Sequence, residues 1–371
     1  MQRDTPPFRA DHVGSLVRPQ TLIEAWEQRR QGNMSAAEFQ RIQQDAIRQV
    51  VARQEDLGLQ LVTDGEYNRV TWQTDFLLQF ANVQQVQSKF KVHFHSDKGD
   101  TQGTPHTVNV TGKLSRPHSI FVDDYKFLHS VARATPKITI PSPSMMHFRS
   151  GRDGIDTTAY PEMEMFYADL AGVYREEIAE LAAAGCRYLQ LDEVNLAYLC
   201  DPALREQVRD NIGEDPDELP KTYAGIINDA IRDRPDDMVV TMHLCRGNFA
   251  GNWMAEGGYE PVAGILFNDI NVDGYFLEYD TGRAGGFEPL RLVPPGKTVV
   301  LGLITTKKPE LENRDEIIRR IEEAAQYLPL EQLALSPQCG FSSGLGGNTM
   351  DSEQQFAKLQ LIVDITREVW G

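Results

Sequence analysis

Short apolar runs recur along the chain, and most of them are separated by stretches whose apolar residues lie three or four positions apart. Runs of about four to eight residues are typical of buried strands, and the wider spacing is typical of helices. The pattern predicts eight strands and five helices. The strands are predicted at 8–15, 59–65, 138–144, 188–193, around His243, up to Glu278, at 298–305 and before Cys339, and the helices at 35–57, 161–184, 219–232, 314–327 and 352–369.

Strands that alternate with helices predict the α/β class, with a single (β/α)₈ TIM barrel over residues 1–371. An open, doubly wound sheet is the alternative, but no glycine-rich phosphate loop follows the first predicted strand. Residues 81–136, between the second and third strands, do not fit the repeat. There, 91–95 and 106–111 alternate like paired strands, which predicts an inserted β-hairpin followed by a helix around 123–132. This insertion could be a packing arm or an active-site cover.

The composition argues against several classes of protein. The 371 residues are 41% apolar, which suffices for a large core, and no apolar run reaches the roughly 18 residues of a membrane span. The net charge of −17 argues against nucleic acids and anionic membrane surfaces as partners. The polar N-terminus has no apolar signal-peptide core, and four cysteines in so long a chain do not indicate a disulfide framework. We therefore expect a cytoplasmic protein.

Side chains that bind metals follow three of the predicted strands. His243 and Cys245 are two residues apart at a strand end, so both side chains point to the same face. Glu278 and Cys339 follow the apolar runs of the sixth and eighth strands. Alone, each has an ordinary explanation: a hydrogen-bonded core histidine, a small buried thiol or a solvated carboxylate. Together, at the rim where TIM barrels carry their active sites, one imidazole, one carboxylate and two thiolates predict a zinc site.

The order His-x-Cys, then Glu, then Cys resembles the zinc ligands of the cobalamin-independent methionine synthase family, in its C-terminal catalytic barrel. Residues 13–15, 64–69 and 189–193 are similar to three further motifs of that family. The resemblance covers nearly the whole chain. Because the chain has a single predicted barrel, it resembles the short members of the family rather than the full-length synthases, which carry an additional N-terminal barrel.

The resemblance implies an activity like that of 5-methyltetrahydropteroyltriglutamate–homocysteine methyltransferase, in which methylfolate methylates the thiol of homocysteine to give methionine. It implies that the four residues above hold Zn²⁺, and we expect Glu278 to leave the metal when the substrate sulfur binds. Ser15 would hold the carboxylate of homocysteine, and Glu66 and Asp192 would hold its ammonium, which needs carboxylate partners when buried. Asp192 and Glu193 could instead cap a helix, so the role of Glu193 stays open.

Two departures from the family concern the methyl donor. Alignment of the segment after the seventh strand places Lys307 where the family has a histidine that assists proton transfer to the departing folate. A lysine could act as an acid or bind an anion, but it is not equivalent. The pterin-contacting tryptophan of the family has no counterpart in residues 141–148, where His147 could act as an acid or cap a loop. We predict catalytic roles for Lys307 and Glu278, and the methyl donor and oligomeric state stay open.

Three other functions remain open. A zinc alkyltransferase could use another thiol or another alkyl donor, although Glu66 and Asp192 favour an amino acid. A zinc hydrolase usually has histidine and carboxylate ligands rather than two thiolates, which weighs against it. A non-catalytic barrel that binds zinc or an amino acid would have the same ligands beside an inert donor pocket.

Overall fold

A parallel sheet surrounded by helices forms the centre of the molecule. The structure is a computed structural model that describes residues 3–88, 92–94, 101–103, 106–247, 252–342, 344–345 and 349–371. Its strands are β1 (Leu61–Val62), β2 (Ala81–Gln87), β3 (Val92–Phe94), β4 (Thr101–Gly103), β5 (His106–Ser115), β6 (Thr135–Pro136), β7 (Ile138–Pro141), β8 (Tyr188–Glu193), β9 (Val239–Leu244), β10 (Gly274–Glu278), β11 (Thr298–Ile304) and β12 (Leu333–Pro337). Its α-helices are α1 (Gln20–Arg30), α2 (Ala36–Asp56), α3 (Thr74–Leu77), α4 (Val122–Val131), α5 (Met163–Ala183), α6 (Asn195–Tyr198), α7 (Pro202–Gln207), α8 (Leu219–Ile231), α9 (Glu260–Asn268), α10 (Arg314–Ala324) and α11 (Ser352–Trp370).

The strands of the central sheet follow one another in sequence order. From β7 to β12, each strand pairs in parallel with the next. Beyond the two edges, β1 pairs in parallel with β6, and a parallel bridge joins Ala10 to Leu335. The N–H of Leu16 donates to the carbonyl of Gly65 over 3.0 Å and links these two segments. The predicted α/β fold with a parallel sheet is confirmed, and the order of neighbours is that of a (β/α)₈ barrel.

The long helices begin where the sequence supplies a capping side chain. Ser35 accepts a hydrogen bond from the N–H of Glu38 at the start of α2, and Asn313 accepts one from Glu316 at the start of α10. Asp351 begins α11 with a capping box. The five predicted helices are confirmed to within about three residues at each end. Within the described ranges, no helix is long and apolar enough to cross a membrane.

The first predicted strand is wrong. Residues 8–15 form no strand and contribute only the bridge at Ala10. The Asp11 carboxylate accepts hydrogen bonds from the backbone N–H groups of Phe8 and His12, at 3.1 and 2.8 Å. Such local side-chain bonds compete with the hydrogen bonds of a strand ladder.

The second and third strands are shorter than predicted. Within 59–65, β1 covers only two residues, because the N–H of Thr63 donates to the side chain of Gln54 over 2.9 Å. Within 138–144, β7 ends early, because Pro143 starts a 3₁₀ turn. Proline has no N–H to donate to a ladder, so a central strand ends before it.

The insertion between β1 and β7 pairs differently from the prediction. β5 pairs antiparallel with β2, and β3 pairs with β4, so the predicted pairing of 91–95 with 106–111 is wrong. Residues 91 and 95, the two ends of the predicted segment 91–95, lie outside the described ranges. Alternation identifies a strand but leaves its partner open. The predicted helix is α4. β5 is also fixed to the loop after β7, because the N–H of Asp156 donates to the carbonyl of Val110 over 2.8 Å.

Candidate active site

Four side chains with metal-binding atoms meet at the carboxyl ends of β9, β10 and β12. His243 lies in β9, Cys245 follows that strand, Glu278 ends β10, and Cys339 lies just beyond β12. One ligand atom from each lies within 4.8 Å of those of the other three, and the two Sγ atoms are 3.5 Å apart. The parallel pairing from β9 to β12 places these carboxyl ends at one edge of the sheet. The structure therefore brings together the four residues that the sequence predicted.

The four residues fit a zinc ion. Tetrahedral zinc with bonds of about 2.0–2.3 Å requires ligand atoms about 3.3–3.8 Å apart, which is compatible with the observed spacing. Both ring nitrogens of His243 and Oε2 of Glu278 are buried without a hydrogen-bond partner among the described residues. Buried polar atoms of this kind cost free energy when nothing satisfies them. A cation here would satisfy the carboxylate oxygen and one ring nitrogen.

The two thiols form a hydrogen bond with each other. The hydrogen bond with Cys245 lowers the pKa of Cys339, and the same contact raises the pKa of Cys245. Burial raises the pKa of the Glu278 carboxyl group, and the charge of Lys307 opposes that rise. Because metal ligands must be deprotonated, a cation that binds here displaces protons from the group.

Lys307 lies beside the candidate metal ligand Glu278. Its Nζ is 3.8 Å from Oε2 of Glu278 and 3.6 Å from Oδ2 of Asp280, and 7% of the residue is exposed. Asp280 also accepts hydrogen bonds from Thr305 Oγ1 and Arg283 Nη2, both at 3.0 Å. Lys307 is thus a buried cation beside two carboxylates. Sequence reasoning missed Asp280, although its spacing of two residues from Glu278 was a usable signal.

Two buried carboxylates, Glu66 and Asp192, lie on the same side of the sheet as His243. Asp192 pairs in register with His243 across β8 and β9, and its Oδ1 accepts a hydrogen bond from Gln190 Nε2 at 2.7 Å. Glu66 Oε1 accepts one from Thr139 Oγ1 at 3.2 Å, and Glu66 Oε2 has no hydrogen-bond partner in the described part of the chain. Burial, followed by the charge of Glu66, raises the pKa of Asp192 to about 7. A cationic ligand between the carboxylates would stabilise both charges.

The backbone of Glu66 adopts an unusual conformation. Its φ of +60° lies in the left-handed region, which costs a non-glycine residue roughly 1–3 kcal/mol. The Asp64 carboxylate accepts a hydrogen bond from the N–H of Glu66 at 2.8 Å, and Arg18 Nη2 donates to the backbone carbonyl of Glu66 at 2.8 Å. Nε of Arg69 lies 3.7 Å from Oε2. Strain that several partners hold in place is common at ligand sites, which favours a functional role for Glu66.

Ser15 lies against the loop that carries Cys339. The N–H of Ser342 donates to Ser15 Oγ over 3.4 Å. A Cβ at Gly340 would lie 2.0 Å from Ser15 Oγ, so the approach requires glycine. The serine predicted to bind the substrate carboxylate is therefore adjacent to the loop of a metal ligand.

Two residues whose roles the sequence left open have structural partners. Glu193 Oε1 accepts hydrogen bonds from the N–H groups of Asn195 at 2.6 Å and Leu196 at 3.1 Å, the first two residues of α6. His147 Nδ1 lies 3.1 Å from the Tyr223 hydroxyl, and its Nε2 lies 3.4 Å from a carboxylate oxygen of Glu214. Glu193 thus holds the first turn of α6, although Val194 is its N-cap residue, and His147 contacts Tyr223 and Glu214 rather than the candidate metal ligands.

The fold and the site together define a class of protein: an α/β protein in which histidine, cysteine and glutamate side chains that could hold a metal ion meet at the carboxyl ends of parallel strands. Residues 8–368 match the family described as "Cobalamin-independent synthase, Catalytic domain", and the chain belongs to that family. The family resemblance inferred from the sequence is confirmed.

Three relatives illustrate the match. The uncharacterized protein YxjG of Bacillus subtilis (strain 168) is 45% identical over 100% of this chain and 97% of its own length. The methionine synthase of Pyrococcus abyssi is 24% identical over 91% of this chain and 87% of its own. The crystal structure of the putative vitamin-B12 independent methionine synthase from Listeria monocytogenes has 36% sequence identity and a TM-score of 0.78, and the match covers 99% of both chains.

Proposed function

We propose that this protein is a zinc-dependent S-methyltransferase that methylates the thiol of homocysteine to give methionine, on a single (β/α)₈ barrel. The convergence of His243, Cys245, Glu278 and Cys339 carries the proposal. Two thiolates make such a site electron-rich, which suits the activation of a sulfur nucleophile more than attack by water. When bound there, zinc lowers the pKa of a substrate thiol, so that the thiolate predominates at neutral pH.

The amino-acid end of homocysteine accounts for three further residues. Its ammonium would lie between Glu66 and Asp192, where it would stabilise two carboxylates whose pKa values are raised by burial. Its carboxylate would be held by Ser15, whose hydroxyl lies beside the loop of Cys339. With both groups held, the side chain of homocysteine would direct its sulfur toward the metal ligands, and such positioning accelerates transfer.

Glu278 and Lys307 are the residues that we expect to respond to substrate. Lys307 Nζ is 3.8 Å from Glu278 Oε2, so it is placed to hold that carboxylate when the substrate sulfur binds in its place. Lys307 also stands where the family has a histidine. It would therefore supply the positive charge or the proton that a departing methyl donor requires. Methylfolate is the donor that the family resemblance implies.

The second candidate is a zinc-dependent alkyltransferase that acts on another thiol or takes its alkyl group from another donor. The presence of Lys307 where the family has a histidine favours a different alkyl donor. Glu66 and Asp192 disfavour it on the thiol side, because a thiol without an ammonium would leave both buried carboxylates without a cationic ligand.

A screen with purified, zinc-loaded protein tests both candidates. Homocysteine and 4-mercaptobutyrate, which lacks the ammonium, are each offered with methyltetrahydrofolate and with methylcobalamin. We expect methionine to form from homocysteine. We expect kcat/KM for 4-mercaptobutyrate to be at least roughly tenfold lower, because Glu66 and Asp192 lose the ammonium as a charged partner. Equal use of the two thiols would favour the second candidate. A protein that contains no zinc by elemental analysis would overturn both.

A further inference from the structure

Arg149, in the loop after β7, is a buried cation with no carboxylate partner among the described residues. It is 8% exposed, and its Nε has no hydrogen-bond partner in the described part of the chain. Its guanidinium hydrogen-bonds the neutral Tyr198 hydroxyl, and its Nη1 makes a long contact of 3.5 Å with the carbonyl of His106. A guanidinium that is buried without an anion costs free energy, and a ligand anion would offset that cost.

The Arg149 side chain belongs to the rim of the metal-binding group. Burial raises the pKa of the Tyr198 hydroxyl, and the neighbouring charge of Arg149 opposes that rise, while Cys245 and Glu278 act on the same hydroxyl. The geometry agrees, because a Cβ at Gly247, two residues after Cys245, would lie 3.5 Å from the Tyr198 oxygen. Tyr198 therefore connects the loop of Arg149 with the loop of a metal ligand.

The insertion holds this loop in place. Ser88, after β2, donates from Oγ to the carbonyl of Arg149 over 3.5 Å, and His106, which starts β5, supplies the carbonyl at Nη1. Ser150 Oγ donates to the carbonyl of Val108 over 2.9 Å. The backbone on both sides of the guanidinium is thus fixed by β2 and β5. The insertion therefore supports the loop that carries Arg149 and is not a detached arm.

We propose that Arg149 binds an oxyanion, a carboxylate or phosphate, of the methyl donor. The proposal rests on the proposed methyl transfer and adds the charge class of the donor. A guanidinium offers parallel N–H groups that match the geometry of a carboxylate or phosphate. The amino-acid carboxylate has a different candidate partner in Ser15, next to Cys339. Arg149 and Lys307 together would repel a donor that carries positive charge at its methyl group, such as a sulfonium.

Matched pairs of donors test the proposal without turnover. Dissociation constants are measured for zinc-loaded protein without homocysteine, using 5-methyltetrahydropteroyltriglutamate against the same methylated pterin without glutamates. A second pair is methylcobalamin, which contains a phosphodiester, against methylcobinamide, which lacks it. In at least one pair, we expect the native protein to bind the oxyanion-bearing member roughly tenfold more tightly or better, as charge-assisted hydrogen bonds provide.

Substitution of Arg149 assigns that preference to the guanidinium. Arg149→Gln should abolish the preference for the oxyanion-bearing donor. Arg149→Lys should keep part of that preference, because lysine retains the positive charge but lacks the parallel N–H groups of the guanidinium. Arg152→Gln is the control, since it removes a positive charge from the same loop, where Arg152 donates to the carbonyl of Tyr160. Zinc content and homocysteine affinity should stay unchanged in all three variants, which shows that the proposed function and the fold survive.

Three outcomes would overturn the inference. The native protein could fail to discriminate within either pair, or Arg149→Gln could keep the preference. Arg149→Gln could also weaken homocysteine instead, which would assign the guanidinium to the amino-acid carboxylate. Absence of zinc and of homocysteine binding from the native protein is a different result, because it removes the proposed function itself.

Discussion

If the proposed amino acid binds at Asp192, the titration of this residue should set the pH range of binding. Burial and the charge of Glu66 raise the pKa of Asp192 to about 7, so the protonated form predominates below that pH. An ammonium ligand binds the ionised form. We therefore expect affinity for the ligand to be present above about pH 7 and to be lost as the pH falls through that value.

Methionine is a suitable ligand for this measurement, because it has no thiol proton to release. Calorimetry in buffers of different ionisation enthalpy should show release of close to one proton per site at about pH 6 and little release at about pH 8. Asp192→Asn, which keeps the size of the side chain, should bind weakly at both pH values and release no proton from this position. The same release in Asp192→Asn and the native protein would show that another group titrates.

Lys307 should limit the reaction with methylfolate. The departing nitrogen must gain a proton, and lysine gives up its proton reluctantly at neutral pH, whereas an imidazole titrates near neutrality. We expect Lys307→His to raise kcat with methyltetrahydrofolate at saturating homocysteine by about tenfold or more, within the range of general acid catalysis. The kcat with methylcobalamin should not rise in Lys307→His, because the departing group of that donor needs no proton. A lower methylfolate kcat in Lys307→His would show that the lysine charge matters more than its acidity.

At the residue scale, the sequence predicted what lies at strand ends and missed what depends on contacts between distant segments. His243, Cys245, Glu278 and Cys339 were identifiable because parallel strands end at one rim. Arg149 was not, because its partners come from the insertion and from α6, far away in the sequence. No local pattern marks a buried arginine that lacks a carboxylate.

The insertion is attached to the barrel by a buried carboxylate on α5. Glu177 is fully buried and accepts hydrogen bonds from the backbone N–H groups of Ile120 and Phe121, at 2.9 and 2.8 Å, and from Arg116 at 2.8 Å. Loss of the negative charge leaves one backbone N–H group poorly paired and removes the buried carboxylate partner of Arg116, which keeps its ion pair with Glu180. We expect Glu177→Gln to lower the free energy of unfolding by about 2–4 kcal/mol, measured by denaturant titration of the zinc-loaded protein.

The control for this prediction is an exposed ion pair on a neighbouring helix. Lys126 and Asp123, both on α4, lie 3.2 Å apart with side chains that are 59% and 91% exposed. Lys126→Gln should change the free energy of unfolding by less than about 1 kcal/mol, because solvent screens the pair. Equal losses in Lys126→Gln and Glu177→Gln would contradict the idea that the buried carboxylate attaches the insertion.

At the element scale, periodicity predicted elements that obey their own local pattern. β8 was predicted at its observed bounds, and α8 was predicted to within one residue. The first strand failed because Asp11 supplies side-chain hydrogen bonds that compete with a ladder. The pairing within the insertion failed because several segments alternate, and the choice of partner is decided by three-dimensional packing.

Zinc should stabilise the whole molecule. Its predicted ligands come from β9, β10 and β12 and the loops that follow them, so a bound ion would join three strands of the central sheet. Binding to the folded chain alone adds to stability, by about 2.7 kcal/mol at a free zinc concentration of 100 times Kd. We expect chelation to lower Tm by several degrees in the native protein, measured by calorimetry. Cys339→Ser should contain little zinc, and its Tm should not respond to chelation.

A native protein that contains zinc by elemental analysis, yet shows the same Tm before and after chelation, would place the ion somewhere other than these strand ends. A Tm of Cys339→Ser that still falls on chelation would lead to the same conclusion, since that variant lacks one of the four ligands.

The closeness of the two sulfur atoms makes the site sensitive to oxidants. Cys245 and Cys339 are 94 residues apart in the chain, yet their Sγ atoms are 3.5 Å apart. An oxidant such as hydrogen peroxide can take two electrons from the pair, release two protons and join the sulfurs by a covalent bond of about 2.05 Å. The joined sulfurs can no longer serve as thiolate ligands. We expect this oxidation to remove the proposed zinc ion and the proposed activity together, and a thiol reductant followed by zinc should restore both.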